Sequence, residues 1–226
     1  MQKAWRVIKK TIIWLVVLQF VYILFCKWIN PPITITQLSS FVQGYGLHKN
    51  NIGFDEMSTN IKLAVIASED QLFANHNGFD TLAIKKAFKY NTKHPNKRRG
   101  ASTISQQVAK NVFLWQGGGY FRKGLEVYFT FMIELLWSKK RILEVYLNVA
   151  ETGQGVFGVQ AASTLYFNKN AKNLSKADAA MIAASLPNPK LFTIKPLSKH
   201  VASRYDDIMA QMNNLDGDED IDAIVK

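Results

Sequence analysis

Residues 66–80 read IASEDQLFANHNGFD. Two adjacent carboxylates, Glu69 and Asp70, close an apolar helical pattern in which Ile61, Val65, Ser68 and Leu72 recur on one face. Asn77-Gly78 breaks that helix, and Phe79-Asp80 restarts the chain. A carboxylate at the end of a buried helix, beside a turn, can face a cleft while its backbone stays rigid, which suits a general base. The same two acids also suit a solvated helix end with one capping residue. Taken alone, the stretch favours that plainer reading, so the choice rests on the rest of the chain.

Ser58 or Thr59 is placed to cap the helix leading into Glu69, and Asp80 or Thr81 the next one, Leu82–Tyr90. Residues 91–101, NTKHPNKRRGA, form a polar loop with Lys93, Lys97, Arg98 and Arg99, which in isolation reads as a solvated charge run. Ser102-Thr103 then opens a helix running through Trp115. Ile104, Val108, Val112 and Trp115 share one side; Thr103, Gln107 and Lys110 share the other. That row of hydroxyl, amide and ammonium suits phosphate oxygens and a hydrated surface equally well, and spacing does not choose between them. Gln116-Gly117-Gly118-Gly119 is a flexible break without the lysine and serine of a phosphate-binding loop.

Phe121–Ser138 is apolar nearly all round and is expected to be a central buried helix, with a membrane-surface helix as the alternative. Glu126 and Glu134 within it need partners, and Arg122 and Lys123 are in reach of Glu126. Lys140–Ala150 should turn Leu143, Tyr146, Leu147 and Ala150 inward. Glycine-rich residues 151–158 follow, then a close-packing segment at 159–167. Ser175 with Asp178 should open the helix Ala177–Leu186, and Lys199–Asn213 should form a last helix. No repeat and no run of alternating strands is visible. The expectation is a mainly α chain with one helical domain at 58–215. A linker over 30–57 precedes it, and an acidic, disordered tail over 216–226 follows it.

The N-terminus has its own pattern. Lys3, Arg6, Lys9 and Lys10 precede an apolar run, Thr11–Cys26, and Lys27 follows it. A spanning helix takes about 20 apolar residues, and Trp5 and Trp28 suit the two interfaces. The charge asymmetry predicts a cytoplasmic N-terminus and an extracytoplasmic body. No small-x-small cleavage site follows, so residues 1–29 are read as a retained anchor. Phe25 is too bulky to precede a lipidated Cys26. Formal charge is +11, and the acids cluster in the tail; residues 1–215 hold 27 bases against 12 acids, a net of +15. A body this basic favours an anionic partner: nucleic acid, anionic lipid or a phosphorylated substrate. The single cysteine excludes an internal disulfide.

At Glu69 and Asp70 the words EDQLFANHNGFD resemble the first signature of the peptidoglycan glycosyltransferases of glycosyltransferase family 51, the murein polymerases. RRGASTISQQVAKN (98–111) resembles the second signature, and Arg122, Lys123 and Glu126 the third. RILEVYLN (141–148) resembles the fourth, and GQGVFGVQAASTLYF (153–167) the fifth. Ser105 stands where the family usually has threonine. A hydroxyl is kept, so little effect is expected. Ser-x-x-Lys and Lys-Thr-Gly motifs of a fused transpeptidase are missing, so the chain is similar to the monofunctional, biosynthetic kind.

The resemblance implies a lysozyme-like helical fold with a small membrane-facing lobe, carried on one transmembrane helix in the bacterial cytoplasmic membrane. It implies lipid II and a lipid-linked growing glycan as substrates, other wall-building proteins as further partners, and no nucleic acid. It assigns catalysis to Glu69 as general base and to Glu126, the family's second glutamate. Substrate binding falls to Asp70, Phe73, His76, Arg99, Ser102, Thr103, Gln106, Gln107, Lys110, Asn111, Arg122 and Lys123. No cofactor is implied with certainty; a divalent Mg²⁺ or Mn²⁺ near the pyrophosphate, held by Glu126, is the one candidate. Two rivals stay open. A membrane-tethered muramidase or lytic transglycosylase would share the fold and the glutamate, but cleaving glycan leaves no pyrophosphate for the cations to hold. A non-enzymatic anchored adaptor would explain charge and anchor, but not the carboxylate pair.

Overall fold

Ser58 opens the helix on which the others pack. In the computed structural model, which describes residues 2–95 and 99–226, its hydroxyl accepts from the Ile61 amide and starts α3 (Thr59–Glu69). Every residue from Ile61 to Ala67 is buried. The helix is covered by α9 (Lys176–Ser185) and α10 (Lys199–Leu215). Ala179, Ala180, Ala183 and Ala184 are all buried; such small side chains let α9 approach closely. The Ser175–Asp178 capping box starts α9 as the sequence suggests. The α3 helix ends earlier than the periodicity indicates: it stops at Glu69, and Leu72 is 43% exposed in the turns that follow.

The second layer is α5 (Ile104–Phe113), α6 (Tyr120–Leu136) and α7 (Lys139–Val149), with α5 packed against both of the others. Ile104, Val108 and Val112 are buried as expected, while Trp115 lies past the helix end and is exposed. Leu143, Tyr146, Leu147 and Ala150 all turn inward. The α4 helix (Thr81–Lys93) is capped by Asp80, whose carboxylate accepts from the Ala83 amide. The small helix α8 (Val159–Ala162) continues as a π-helical turn through Phe167.

Three expectations need correction. First, α6 is not the central helix. Only Glu126, Thr130 and Ile133 are buried along it, while Phe121, Phe131 and Leu135 are more than half exposed. Its composition is apolar all round because one side packs on α5 and the other faces outward. Second, residues 30–57 are structured: α2 (Ile35–Val42) is capped by Thr34, and Asn148 clamps the Ile52 backbone through both its amide atoms. A three-stranded sheet also exists, with β1 (His48–Lys49) parallel to β3 (Val156–Phe157) and β2 (Glu151–Gly153) on the far side of β3. Strands of two or three residues are too short to show alternation. Third, the acidic tail is not disordered. Glu219–Val225 forms α11, capped by Asp218, with Ile221, Ile224 and Val225 buried. Acids flanking three apolar residues at helical spacing hide this pattern within an overall charged composition.

The helix α1 (Gln2–Cys26) is long and apolar enough to cross a membrane. At ~1.5 Å per residue its 25 residues extend about 37 Å. Its backbone is gripped by the body at the last turn. Trp137 Nε1 donates to the Ile23 carbonyl at 3.0 Å, and Arg141 donates twice to the Cys26 carbonyl at 3.0 and 2.9 Å.

Gly158 joins β3 to α8 at φ +83°, ψ 158°, a region essentially reserved for glycine. A Cβ there would lie 2.7 Å from the Asn148 carbonyl oxygen. Gly158→Ala should therefore lose about 1–3 kcal/mol of stability from the backbone alone, read as a lowered unfolding midpoint in detergent. An unchanged midpoint would mean that this turn is not a rigid joint.

Candidate active site

Glu69 is the last residue of α3 and Asp70 is its C-cap. The Asp70 carboxylate is buried and committed to structure. One oxygen meets His76 Nε2 at 2.8 Å, and the other accepts from the Ile104 amide at 3.0 Å. His76 Nδ1 accepts from the Gly78 amide at 3.1 Å, so the proton sits on Nε2 and points at Asp70. Asp70 and His76 thus pin the 71–78 turn and the start of α5 to the end of α3. They hold Glu69 in place, and Asp70 also borders the cavity that Glu69 faces.

Glu69 faces α5. Gln107 Nε2 donates to its Oε2 at 2.7 Å, and the Tyr146 hydroxyl donates to Gln107 Oε1 at 3.2 Å. Burial holds the Tyr146 phenol well above its usual range, helped by the Glu69 charge. The phenol therefore stays a donor and fixes which end of the Gln107 amide meets Glu69. Protein surrounds the Glu69 carboxyl closely enough that desolvation raises its pKa, with the Asp70 charge adding to the rise. The Gln107 hydrogen bond and the charges of Arg204 and Lys110 oppose it. The balance is upward, as a general base working near neutral pH requires.

One turn beyond Gln107, the Lys110 ammonium makes no hydrogen bond with any described residue. Burial lowers its pKa first; Arg122 and Lys123 lower it further, while Glu126 and Glu69 raise it. Arg122 Nη1 donates to Glu126 at 2.6 Å, and Lys123 Nζ bonds the other oxygen of the same carboxylate. Glu126 is 3% exposed, so its charge is held by two cations. Arg122 Nε is buried with no described partner. Three cations against one carboxylate leave a net positive pocket. Glu134, the other acid of α6, is bonded by Ser105 and by Lys139 at 2.8 Å. The Ser105 hydroxyl thus ties α5 to α6, which explains why a hydroxyl suffices there.

Two cavities meet at Gln107 and Pro187. One, of about 500 Å³, is lined by Glu69, Asp80, Lys86, Ser102 and Thr103. The other, of about 280 Å³, is lined by Lys110, Asn111, Gln116, Tyr146 and Glu151. The Glu69 carboxyl and the Lys110 ammonium therefore open into neighbouring spaces on either side of one glutamine.

The remaining sequence candidates divide. Ser102 is exposed on the Glu69 side, and Asn111 lines the Lys110 side, accepting from Gln116 at 3.2 Å. Thr103 and Gln106 form a reciprocal cap at the start of α5, and the Thr103 hydroxyl donates to the Gly78 carbonyl at 2.7 Å. Both are buried; Thr103 borders the Glu69-side cavity and Gln106 lines neither cavity. Phe73 is fully buried, its ring edge-on to His76 and under the Lys139 ammonium; it supports the turn and does not line the cleft. Arg99 lies over the Tyr90 ring, held by Asn91. Lys97 and Arg98 lie outside the described residues. Tyr146 and Arg204 were not singled out for the site: Tyr146 reads as core from its helical spacing, and Arg204 is about 135 positions from Glu69. Glu151, at the start of β2, has its carboxyl pKa raised by burial despite the Gly155 amide and Lys190 beside it.

The residues around Glu126 do not suit a divalent metal. Both carboxylate oxygens are taken by cations. Among the described residues no group of three or more His, Cys, Asp or Glu side chains is placed to hold one.

Comparison with known proteins agrees with this layout. The family model described as Transglycosylase matches residues 36–213, so the family's domain begins at α2 and takes in most of the segment expected as a linker. A biosynthetic peptidoglycan transglycosylase of Haemophilus influenzae is 52% identical over 182 residues, 79% of this chain and 74% of the relative. Proteins of the same name from Pseudomonas putida and Pseudomonas syringae are 46% and 45% identical over 218 and 225 residues. They cover 94% and 97% of this chain, and 92% and 95% of their own lengths. The match spans the turn that carries Glu69, the α5 row and the Arg122–Glu126 cluster alike, and the chain belongs to the transglycosylase family.

Proposed function

We propose that this protein is a peptidoglycan glycosyltransferase that polymerises lipid II into glycan strands for the cell wall and releases the lipid pyrophosphate. The observation that carries the reading is the division of labour across Gln107. A raised-pKa carboxylate faces one cavity, and an unpaired ammonium backed by Arg122 and Lys123 faces the other. In this reading the growing glycan on its lipid pyrophosphate lies on the Lys110 side and the incoming lipid II on the Glu69 side. The 4-hydroxyl of the incoming sugar attacks the anomeric carbon of the donor. Its proton passes to Glu69, the new C–O bond forms, and the old C–O bond breaks with its electron pair going to the pyrophosphate. Charge grows on that leaving group as the bond breaks, where fixed cations act most strongly. Glu126 holds Arg122 and Lys123 in place by ion pairing.

The anchor serves the same chemistry. Four positive charges before the apolar run and one just after it support a cytoplasmic N-terminus in the bacterial cytoplasmic membrane, with the body outside. Gln19 donates to the Tyr128 hydroxyl at 3.1 Å, so the exposed apolar side of α6 lies on the flank where α1 leaves the body. Phe121, Phe131 and Leu135 there form the membrane-facing lobe. Both substrates are lipid-linked, and tethering confines enzyme and substrate to one surface at high effective concentration.

Purified protein in detergent, given labelled lipid II, should yield a ladder of polymer that muramidase digests. Glu69→Gln should lower the rate by about 10²–10⁴-fold while leaving lipid II binding; a wild-type rate in this variant would remove Glu69 as base. Lys110→Ala should cost on the order of 10²-fold in kcat, and an unchanged rate and substrate response would take Lys110 out of the leaving-group site.

The pH profile follows from the same pair. Activity should rise with an acid limb above the ordinary glutamate range of roughly 4.3, and fall at high pH below the ordinary lysine value as Lys110 loses its charge. Stability carries the opposite sign. Because the folded pKa of Glu69 is raised, the folded state binds the proton more tightly and loses stability as pH rises through the shifted range. Glu69→Gln should thus melt higher than wild type at neutral pH. A lower melting point would mean that the ionised carboxylate is not strained by burial.

A further inference from the structure

We infer that the C-terminal helix α11 is a splint that positions the Glu69 carboxylate, an inference that rests on Glu69 being the base. The helix lies beyond residue 213, where the family match ends. It is fastened at two points that bracket Glu69 in sequence. On one side, Lys62, seven residues before Glu69 on α3, is 4% exposed and donates to the Val225 carbonyl at 3.2 Å, with its ammonium 3.8 Å from the Phe54 ring centre. On the other side, Asn75, six residues after Glu69, donates to Asp220 at 3.2 Å. Between these fastenings Ile221, Ile224 and Val225 are buried against α3 and α7.

The same short helix therefore touches the helix that ends in Glu69, the turn that follows it, and the helix that carries Tyr146. These are the three segments whose relative placement sets the Tyr146–Gln107–Glu69 hydrogen-bond chain. A buried lysine that gives a proton to a backbone carbonyl would lose its only described hydrogen-bond partner if α11 left, and α3 would have to rehydrate it. The Glu69 end of α3 is held by the Asp70 contacts with His76 and Ile104, and the turn that carries His76 is held in turn by the Asn75 bond to α11. Loosening of α3 and the turn lets water reach the carboxylate, and a misplacement of about 1 Å can cost on the order of 10²-fold in rate.

The test compares wild type with a chain ending at Asp216 and with full-length Ile221→Asp, each checked for folding by circular dichroism and thermal melting. Lipid II polymerisation is followed across pH. The groups that face Glu69 are Asp70, Gln107, Lys110, Tyr146 and Arg204, and none is altered. Expected is a fall in kcat of about 10–100-fold with KM little changed, and an acid limb moved to lower pH as the hydrated carboxyl returns toward its ordinary range. If truncation prevents folding, Asn75→Ala, which removes one fastening only, should show the same shift on a smaller scale. Folded variants with wild-type kcat and an unmoved acid limb overturn the splint. A lower melting point with an unmoved limb also overturns it, since α11 would then add stability alone. Glu69→Gln runs beside them: if it polymerises normally the base assignment fails, whatever the truncation does.

Discussion

The buried Asp70 carboxylate is the constraint on which the site depends. It ends α3, accepts a hydrogen bond from His76 Nε2 and caps the first free amide of α5. A carboxylate this deep is tolerable only when its oxygens are occupied by donors, and the donors come from two different elements. Neither the 71–78 turn nor the start of α5 can shift without uncovering it. Gln107 lies three residues from the bonded Ile104 amide, and Glu69 directly precedes Asp70. Fixing Asp70 therefore fixes the distance between base and amide. Gly78 completes the joint: at φ +84° it lets the chain turn under α6, where a Cβ would lie 2.7 Å from Thr130.

Charge is arranged by commitment. Glu126 and Glu134 are both paired by local cations, so the interior tolerates them. Glu69 has amide support and more distant cations, and burial raises its pKa. On the positive side Arg122 and Lys123 are engaged with Glu126, whereas the Lys110 ammonium has no hydrogen-bond partner among the described residues. The groups that the proposed reaction uses are the two that the fold leaves outside its ion pairs.

How much of this was legible in the sequence depends on the range of the interaction. The helices around Ser58, Thr103 and Ser175 were readable because a cap and a 3.6-residue period are local. The Arg122–Lys123–Glu126 cluster was readable for the same reason. Phe73 and Gln106 belong to the signatures yet lie beneath the cleft, because a motif records every residue that shapes a site and does not separate walls from floor. Tyr146 and Arg204 escaped notice because their approach to Glu69 is made by packing of α7 and α10. The exposed side of α6 could not be told from a buried one, since lipid and protein core select the same side chains. The tail was misjudged because composition hides three apolar residues among five acids.

The grip on α1 has a mechanical consequence. Arg141 and Trp137 take hold of carbonyls at the end of that helix, not along its length. Placed in a bilayer, the apolar run Thr11–Cys26 rises about 24 Å at ~1.5 Å per residue, short of a hydrocarbon layer of roughly 30 Å. A short span is met by local thinning of the layer or by flanking side chains that reach the interface. Because the last turn of α1 is bonded to Trp137 and to Arg141 of α7, that thinning falls where the body meets the lipid, and the enzyme carries a dimple in the bilayer beside its own cleft.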